Sequence, residues 1–219
     1  MARKWDSRMN RSGGAGRWLL MAAGLTGLAA AYYQRSYRYR DPVRLLPDTA
    51  GLVAPADGTV TLVRWVEGGQ VKTPAGQTEF SLESLGLQME QGWLIGVTPG
   101  PLSARYVYAP ADGTLRAPVR TERPTTFPLT PGKTAELDLL TLPSEPGWAV
   151  TLAQAGGRLQ ARTYFGGGQD IRRGNKLAFL ERGGLVLLTC RDDFRPAVTV
   201  GEKVVGGQTV LGAPATTTG

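Results

Sequence analysis

Two aspartates, Asp57 and Asp112, occupy the same place in a repeated heptapeptide, APADGTV at Ala54 to Val60 and APADGTL at Ala109 to Leu115. A carboxylate can serve as a general base or hold a cation. An aspartate before glycine is also a turn former in its own right: it caps its own turn, the glycine tolerates positive φ, and the β-branched threonine opens a strand. The turn reading outweighs the chemical one at both positions. Arg105, in SARYVYAP, cannot act as a base near neutral pH, because a guanidinium does not deprotonate in proteins. It can pair with a phosphate or carboxylate, and the alternative is an exposed strand arginine. Thr189 and Cys190 carry nucleophilic atoms, but Cys190 ends the apolar stretch that starts at Leu185 and reads as a small buried core residue. Lys203 falls in a Gly-Glu-Lys turn without the flanks of a prosthetic-group lysine. Gly166-Gly167-Gly168 lacks both GxGxxG spacing and a Lys-Ser/Thr ending, so it reads as a turn and not a phosphate loop.

The absences narrow the chemistry further. There is no histidine, so no Ser-His-Asp or Cys-His couple, imidazole zinc site or histidine proton shuttle can exist here. A single cysteine excludes an intrachain disulfide and a thiolate metal cluster, and no metal site is expected.

The elements that would position these residues are those of a turn-rich β domain: 219 residues with 30 glycines, 15 prolines and 42% apolar residues. Each heptapeptide reads as strand, tight turn, strand, and two copies 55 residues apart read as two related hairpins in one β fold. VTVGEKVVGGQTVLG alternates apolar and polar residues, which predicts paired short strands of the barrel-sandwich-hybrid kind. The Thr- and Pro-rich stretch from Arg120 to Pro146 reads as a surface loop with edge strands, SLESLGLQM at Ser81 to Met89 as a short helix, and 213–219 as a disordered tail.

Ahead of this domain, a basic tail (1–17) precedes an apolar run, Trp18 to Tyr33, with Trp and Tyr at its ends and arginines just outside. Its 16 residues fall short of the ~20 of a full span. A membrane-anchor helix over 18–34 is the first reading, a signal peptide with an Ala29-x-Ala31 site the second, and a core or amphipathic helix the third. The net charge of +7 is concentrated here, with nine Lys/Arg between Arg3 and Arg44. Since no basic helix or aromatic-studded basic strand follows, this charge points to an acidic membrane surface and not to nucleic acid. The positive-inside rule does not choose an orientation, because arginines lie on both sides of the run.

From Arg35 the chain reads RSYRYRDPVRLLPDTAGLVAPADGTV, an aromatic-RDPxR-xxP stretch followed by GLVxxPADGxV. This resembles the phosphatidylserine decarboxylase family, particularly its short bacterial and archaeal form. The likeness continues in order through IGVTPGPLSARYVYAPADGTL, PGKTAELD, GQDIRRGNKLAFLERGGLVLL and FRPAVTVGEKVVGGQTVLG, covering 35–212.

The resemblance implies a chemistry. In the family a serine attacks the carbonyl of the preceding glycine, β-elimination splits the chain, and a pyruvoyl group on the new N-terminus becomes the electron sink for decarboxylation. An aspartate and a histidine assist. Position by position, the aspartate matches Asp57, the histidine matches Arg105, and the Gly-Ser pair matches Gly183-Gly184. The last serine of the chain is Ser144, so no shift of register restores the pair. The expectation is a mainly β, membrane-associated relative of the decarboxylases, preceded by one hydrophobic helix. No pyruvoyl group is expected to form, and the chain is expected to bind a membrane phospholipid, with Arg105 as a candidate ligand residue, or to pair with an active relative. The alternatives are an active enzyme making phosphatidylethanolamine through an unrecognised cleavage site, and a structural barrel-sandwich interaction module.

Overall fold

The computed structural model describes residues 13–121, 124–130, 133–145 and 147–214. It divides into two compact units, Met1–Arg40 and Asp41–Gly219. Among its described residues the first holds one long helix, α1 (Gly13–Arg35), followed by a 3-10 turn at Tyr37–Tyr39. α1 begins earlier than the expected 18–34 and takes in part of the expected basic tail, of which 1–12 lie outside the described residues. Its apolar side chains, Trp18, Leu19, Leu20, Met21, Leu25 and Leu28 among them, are exposed. No helix among the described residues is long and apolar enough to cross a membrane. Gly24, Thr26 and Gly27 dilute a run already shorter than a bilayer core.

The second unit is built of strands: β1 (Leu52–Val53), β2 (Gly58–Glu67), β3 (Gln70–Lys72), β4 (Thr78–Ser81), β5 (Gln91–Thr98), β6 (Tyr106–Tyr108), β7 (Gly113–Leu115), β8 (Val119–Arg120) and β9 (Thr125–Thr130). They continue with β10 (Lys133–Glu145), β11 (Trp148–Ala155), β12 (Ala161–Thr163), β13 (Asp170–Ile171), β14 (Lys176–Leu180), β15 (Leu185–Arg191), β16 (Phe194–Pro196), β17 (Lys203–Val204) and β18 (Val210–Pro214). Among the described residues a twelve-stranded sheet runs β13-β7-β10-β11-β15-β5-β2-β3-β4, with β8, β9 and β17 paired at its side. Two three-stranded sheets, β1-β18-β16 and β12-β14-β6, complete the domain.

The centre of the large sheet is buried on both faces, which is why β11 (WAVTLAQA) and β15 (LVLLTCR) read as near-continuous apolar runs. Alternation sorts their side chains between two cores. Trp148, Val150, Leu152, Val186, Leu188 and Cys190 enter one core, while Ala149, Ala153, Leu185 and Leu187 enter the other. Each fully buried leucine contributes about 2 kcal/mol. The mainly β architecture with one preceding helix is the expected one.

Several local expectations change. The supposed loop from Arg120 to Pro146 contains β10, the longest strand, whose Leu137, Leu139 and Leu142 are core residues. Its threonines hid this alternation, and Thr141 is itself buried, bonded to Thr151 Oγ1 (3.0 Å) and donating to the Leu85 carbonyl. Glu122, Arg123, Pro131, Gly132 and Pro146 lie outside the described residues. The Ser81–Met89 helix shrinks to a 3-10 turn at Leu82–Leu85 with Ser81 as its cap. Ala213 and Pro214, placed in the tail, pair with Arg195 and Phe194 in β18, and 215–219 lie outside the described residues.

The heptapeptide copies are strand-turn-strand units, but they are not hairpins. β1 pairs with β18 while β2 pairs with β5, β3 and β17; β6 pairs with β14 while β7 pairs with β10 and β13. Each copy therefore carries the chain from a small sheet into the large one. The copies bond reciprocally, Tyr108 N–H to Pro55 O (2.7 Å) and Val53 N–H to Pro110 O (2.9 Å). A second pair of segments repeats with them. GEKVVGG (Gly201 to Gly207) and GQDIRRG (Gly168 to Gly174) share the pattern G-x-x-V/I-x-x-G, and each bonds to one heptapeptide copy in a similar way. Ala54 N–H reaches Thr209 O and Ala109 N–H reaches Asn175 O; Gly207 N–H reaches Ala54 O and Gly174 N–H reaches Ala109 O. Gly207 and Gly174 both take positive φ, 73° and 81°. The domain is thus a pseudo-twofold pair of interleaved halves, compatible with a barrel-sandwich hybrid, and the short strands of the last motif pair with the first copy rather than with each other.

Candidate functional site

Asp57 does not cap its own turn. Its carboxylate gathers three remote segments: Arg44 Nη2 donates to both oxygens (2.8 and 2.7 Å), Gly206 N–H to Oδ1 (2.8 Å) and Ala104 N–H to Oδ2 (3.2 Å). The ion pair is largely shielded on both sides. The Arg44 guanidinium also lies over the Tyr108 ring, 5.7 Å from its centroid. Burial works against the Arg44 charge, but Tyr108 and Asp57 outweigh it and hold the guanidinium above its ordinary value. Burial likewise pushes the Tyr108 hydroxyl up. Both oxygens of Asp57 are thus occupied by donors from other segments.

Asp112, its pseudo-symmetric counterpart, caps across the interface in the same manner, accepting from Arg173 N–H at 2.6 Å. Gly206 and Arg173 are equivalent positions. The asymmetry between the halves lies in the strap from Asp41 to Gly51, which supplies Arg44 to the first half alone. Arg173 grips the far end of this strap, donating to Pro47 O (2.6 Å) and Thr49 O (2.7 Å), while Gln208 Nε2 reaches Leu45 O and Lys176 pairs with Asp41.

Arg105 is half-buried beside the junction of β14 and β15, where sequence reasoning placed an exposed strand arginine. Its carbonyl accepts from Leu180 N–H (2.9 Å), and its Nη1 donates to Glu181 O (3.5 Å). Ala104 bonds to Asp57 and its neighbour Arg105 to Glu181, so the loop holding Arg105 links Asp57 to the Glu181 end of the Glu181–Gly184 bend. Gly184 is packed so tightly that an added Cβ would come well under 3.0 Å from the Ala153 carbonyl oxygen. Gly183 stands in open space.

The remaining candidates fall away from this site. Cys190 is buried in the core, where burial pushes its thiol up to about 12. Thr189 lies buried in mid-strand and donates to Ala149 O. Lys203 sits in β17 rather than in the turn itself and is exposed. Gly167 and Gly168 form a turn, as expected. A cleft of about 570 Å³ opens beside Tyr106, lined also by Tyr164, Phe165 and Lys176, but not by Asp57, Arg105 or Gly184. The described residues hold no group of three or more His, Cys, Asp or Glu side chains that could bind a metal.

Sequence reasoning missed Arg44, Tyr108 and Gly206 as partners of this site. Arg44 stood in the RDPVR motif, and Gly206 could have been found by aligning GEKVVGG with GQDIRRG.

The family model described as phosphatidylserine decarboxylase matches residues 34–212, which span this whole arrangement. The chain belongs to the phosphatidylserine decarboxylase family. Its relatives include the phosphatidylserine decarboxylase proenzymes of Ralstonia pickettii, 29% identical with 79% of this chain and 75% of the relative covered, and of Symbiobacterium thermophilum, 29% identical with 89% and 84% covered. The proenzyme of Cereibacter sphaeroides is also 29% identical, over 80% of this chain and 72% of its own length.

Proposed function

We propose that this member of the phosphatidylserine decarboxylase family forms no pyruvoyl group, is catalytically silent, and acts at a membrane by binding phospholipid or by pairing with an active relative. One observation carries the reading. At the position matching the cleavage serine, Gly184 has no hydroxyl, and a Cβ added there would collide with the Ala153 carbonyl oxygen. The residues present therefore do not fit a self-made pyruvoyl group. Two further features agree with this. Arg105 stands where the family has its histidine and cannot take a proton, and Asp57 is saturated by Arg44 and two backbone amides.

The test is the intact mass of the purified, denatured chain. A single species near the full 23.4 kDa, allowing for N-terminal processing, supports the reading. Two fragments, with a carbonyl group on the second, would overturn it and make the protein a decarboxylase cleaved at another position.

A further inference from the structure

The cleft of about 570 Å³ beside Tyr106 has the size of a small-molecule site. It opens where β14 pairs with β6, and among the described residues its walls are Tyr106, Tyr164, Phe165, Gly174, Asn175 and Lys176. Half of these are aromatic, one is a cation and none is a carboxylate. The rings are set before any ligand arrives. Tyr106 stands edge-on to buried Phe179, 5.2 Å between centroids at 65°, and lies near-parallel to Tyr164, 6.4 Å away at 29°. Tyr164 is nevertheless 50% exposed, so an aromatic face is left open to a flat guest.

The polar groups of the cleft are donors. Lys176 Nζ lies 4.9 Å from the Tyr106 ring centroid and pairs with Asp41, the first residue of the strap. An ammonium has three N–H donors. The two side chains are 39% and 48% exposed, so water screens their pairing and a competing anion can share or take the ammonium. Asn175 Oδ1 accepts from Arg172 N–H (2.7 Å), which leaves the NH2 group as the donor of that amide. Burial pushes the Tyr164 hydroxyl up, so it too keeps its proton.

We infer that this cleft binds an aromatic carboxylate, its ring laid on Tyr164 and Tyr106 and its carboxylate on Lys176. Asp41 already seats a carboxylate on that ammonium, and it is thereby an internal competitor that sets the affinity. A cationic guest would meet the like charge of Lys176 at the ring face it needs. The site is separate from Asp57, Arg105 and Gly184, and it does not rest on the phospholipid or partner reading.

The test is a fluorescence titration of the full-length protein with 2-naphthoate, beside the uncharged 2-naphthalenemethanol. The acid is expected to saturate and to bind about tenfold more tightly than the alcohol. Tyr164→Ala and Lys176→Gln are each expected to weaken it about tenfold. Tyr164→Phe, which keeps the ring, holds the affinity within about twofold, and Asp41→Asn tightens it about threefold. Unfolding midpoints show that each variant is folded.

No saturable binding of 2-naphthoate would overturn the inference. An affinity unmoved by Tyr164→Ala and Lys176→Gln would overturn the site. Equal binding of acid and alcohol, or no gain from Asp41→Asn, would overturn the carboxylate as the ligand class. None of these outcomes depends on whether the chain cleaves itself, which the intact mass decides.

Discussion

The Arg44 guanidinium reaches the Asp57 carboxylate at 2.7 Å from a strap outside the β-sheets. The pair joins a strap, a loop and a turn through one anion. Arg44→Met leaves that shielded carboxylate with its two amide donors but no counter-charge, and is expected to destabilise the domain by about 2–3 kcal/mol. The pair is not fully buried, which keeps the figure below that of a deep ion pair. Urea unfolding measures it. Asp57→Ala is expected to cost more than Asp112→Ala, because Asp57 serves three partners and Asp112 is bonded to the Arg173 amide.

Gly184→Ser, alone or with Arg105→His, is expected to leave the chain uncut. The added Cβ meets the Ala153 carbonyl, so the single variant should also lose about 1–3 kcal/mol of stability. Intact mass and a denaturation curve read the two effects separately. Cleavage of the double variant would show that the bend can relax enough to react.

Cys190 is expected to be silent towards a thiol reagent at pH 8 while the domain is folded, and to react fully in denaturant, since burial pushes its thiol up to about 12. Stopped assays with and without urea test this.

Asp138 gives the domain an acid limit. Burial pushes its carboxyl up, but hydrogen bonds from Arg120 and the Leu159 amide, with the charges of Arg120 and Arg158, outweigh it and hold the group below its ordinary value. The folded value is therefore below the unfolded one. The stabilisation is fully present above the unfolded value of about 3.9 and is lost as pH falls from there through the folded value. Unfolding midpoints between pH 5 and pH 2 should fall less steeply for Asp138→Asn than for the parent chain.

The mainly β class, the leading helix and the family were legible in the sequence because they rest on local signals: turn dipeptides, an apolar run and motif order. Pairing partners were not. APADG fixes a turn but does not say which strand lies beside it, and the hydrogen bonds that decide this join Ala54 to Thr209 and Ala109 to Asn175. β10 was hidden for another reason. Thr141 faces the core with its hydroxyl satisfied by Thr151 and Leu85, so a polar residue marks a buried position where pattern reading expects surface. The role of Asp57 required both kinds of information, since its partners Arg44, Ala104 and Gly206 come from three separate parts of the chain.

The interleaving of the two halves also bears on the order of events during synthesis. The first APADG copy depends on β17 and β18, among the last strands to be made, so the half that begins the domain cannot close until its C-terminal segment has left the ribosome. α1 emerges long before that. For much of translation the nascent chain therefore presents an apolar, arginine-flanked helix with no closed domain behind it, and whatever receives that helix meets it before the Asp57 cluster exists.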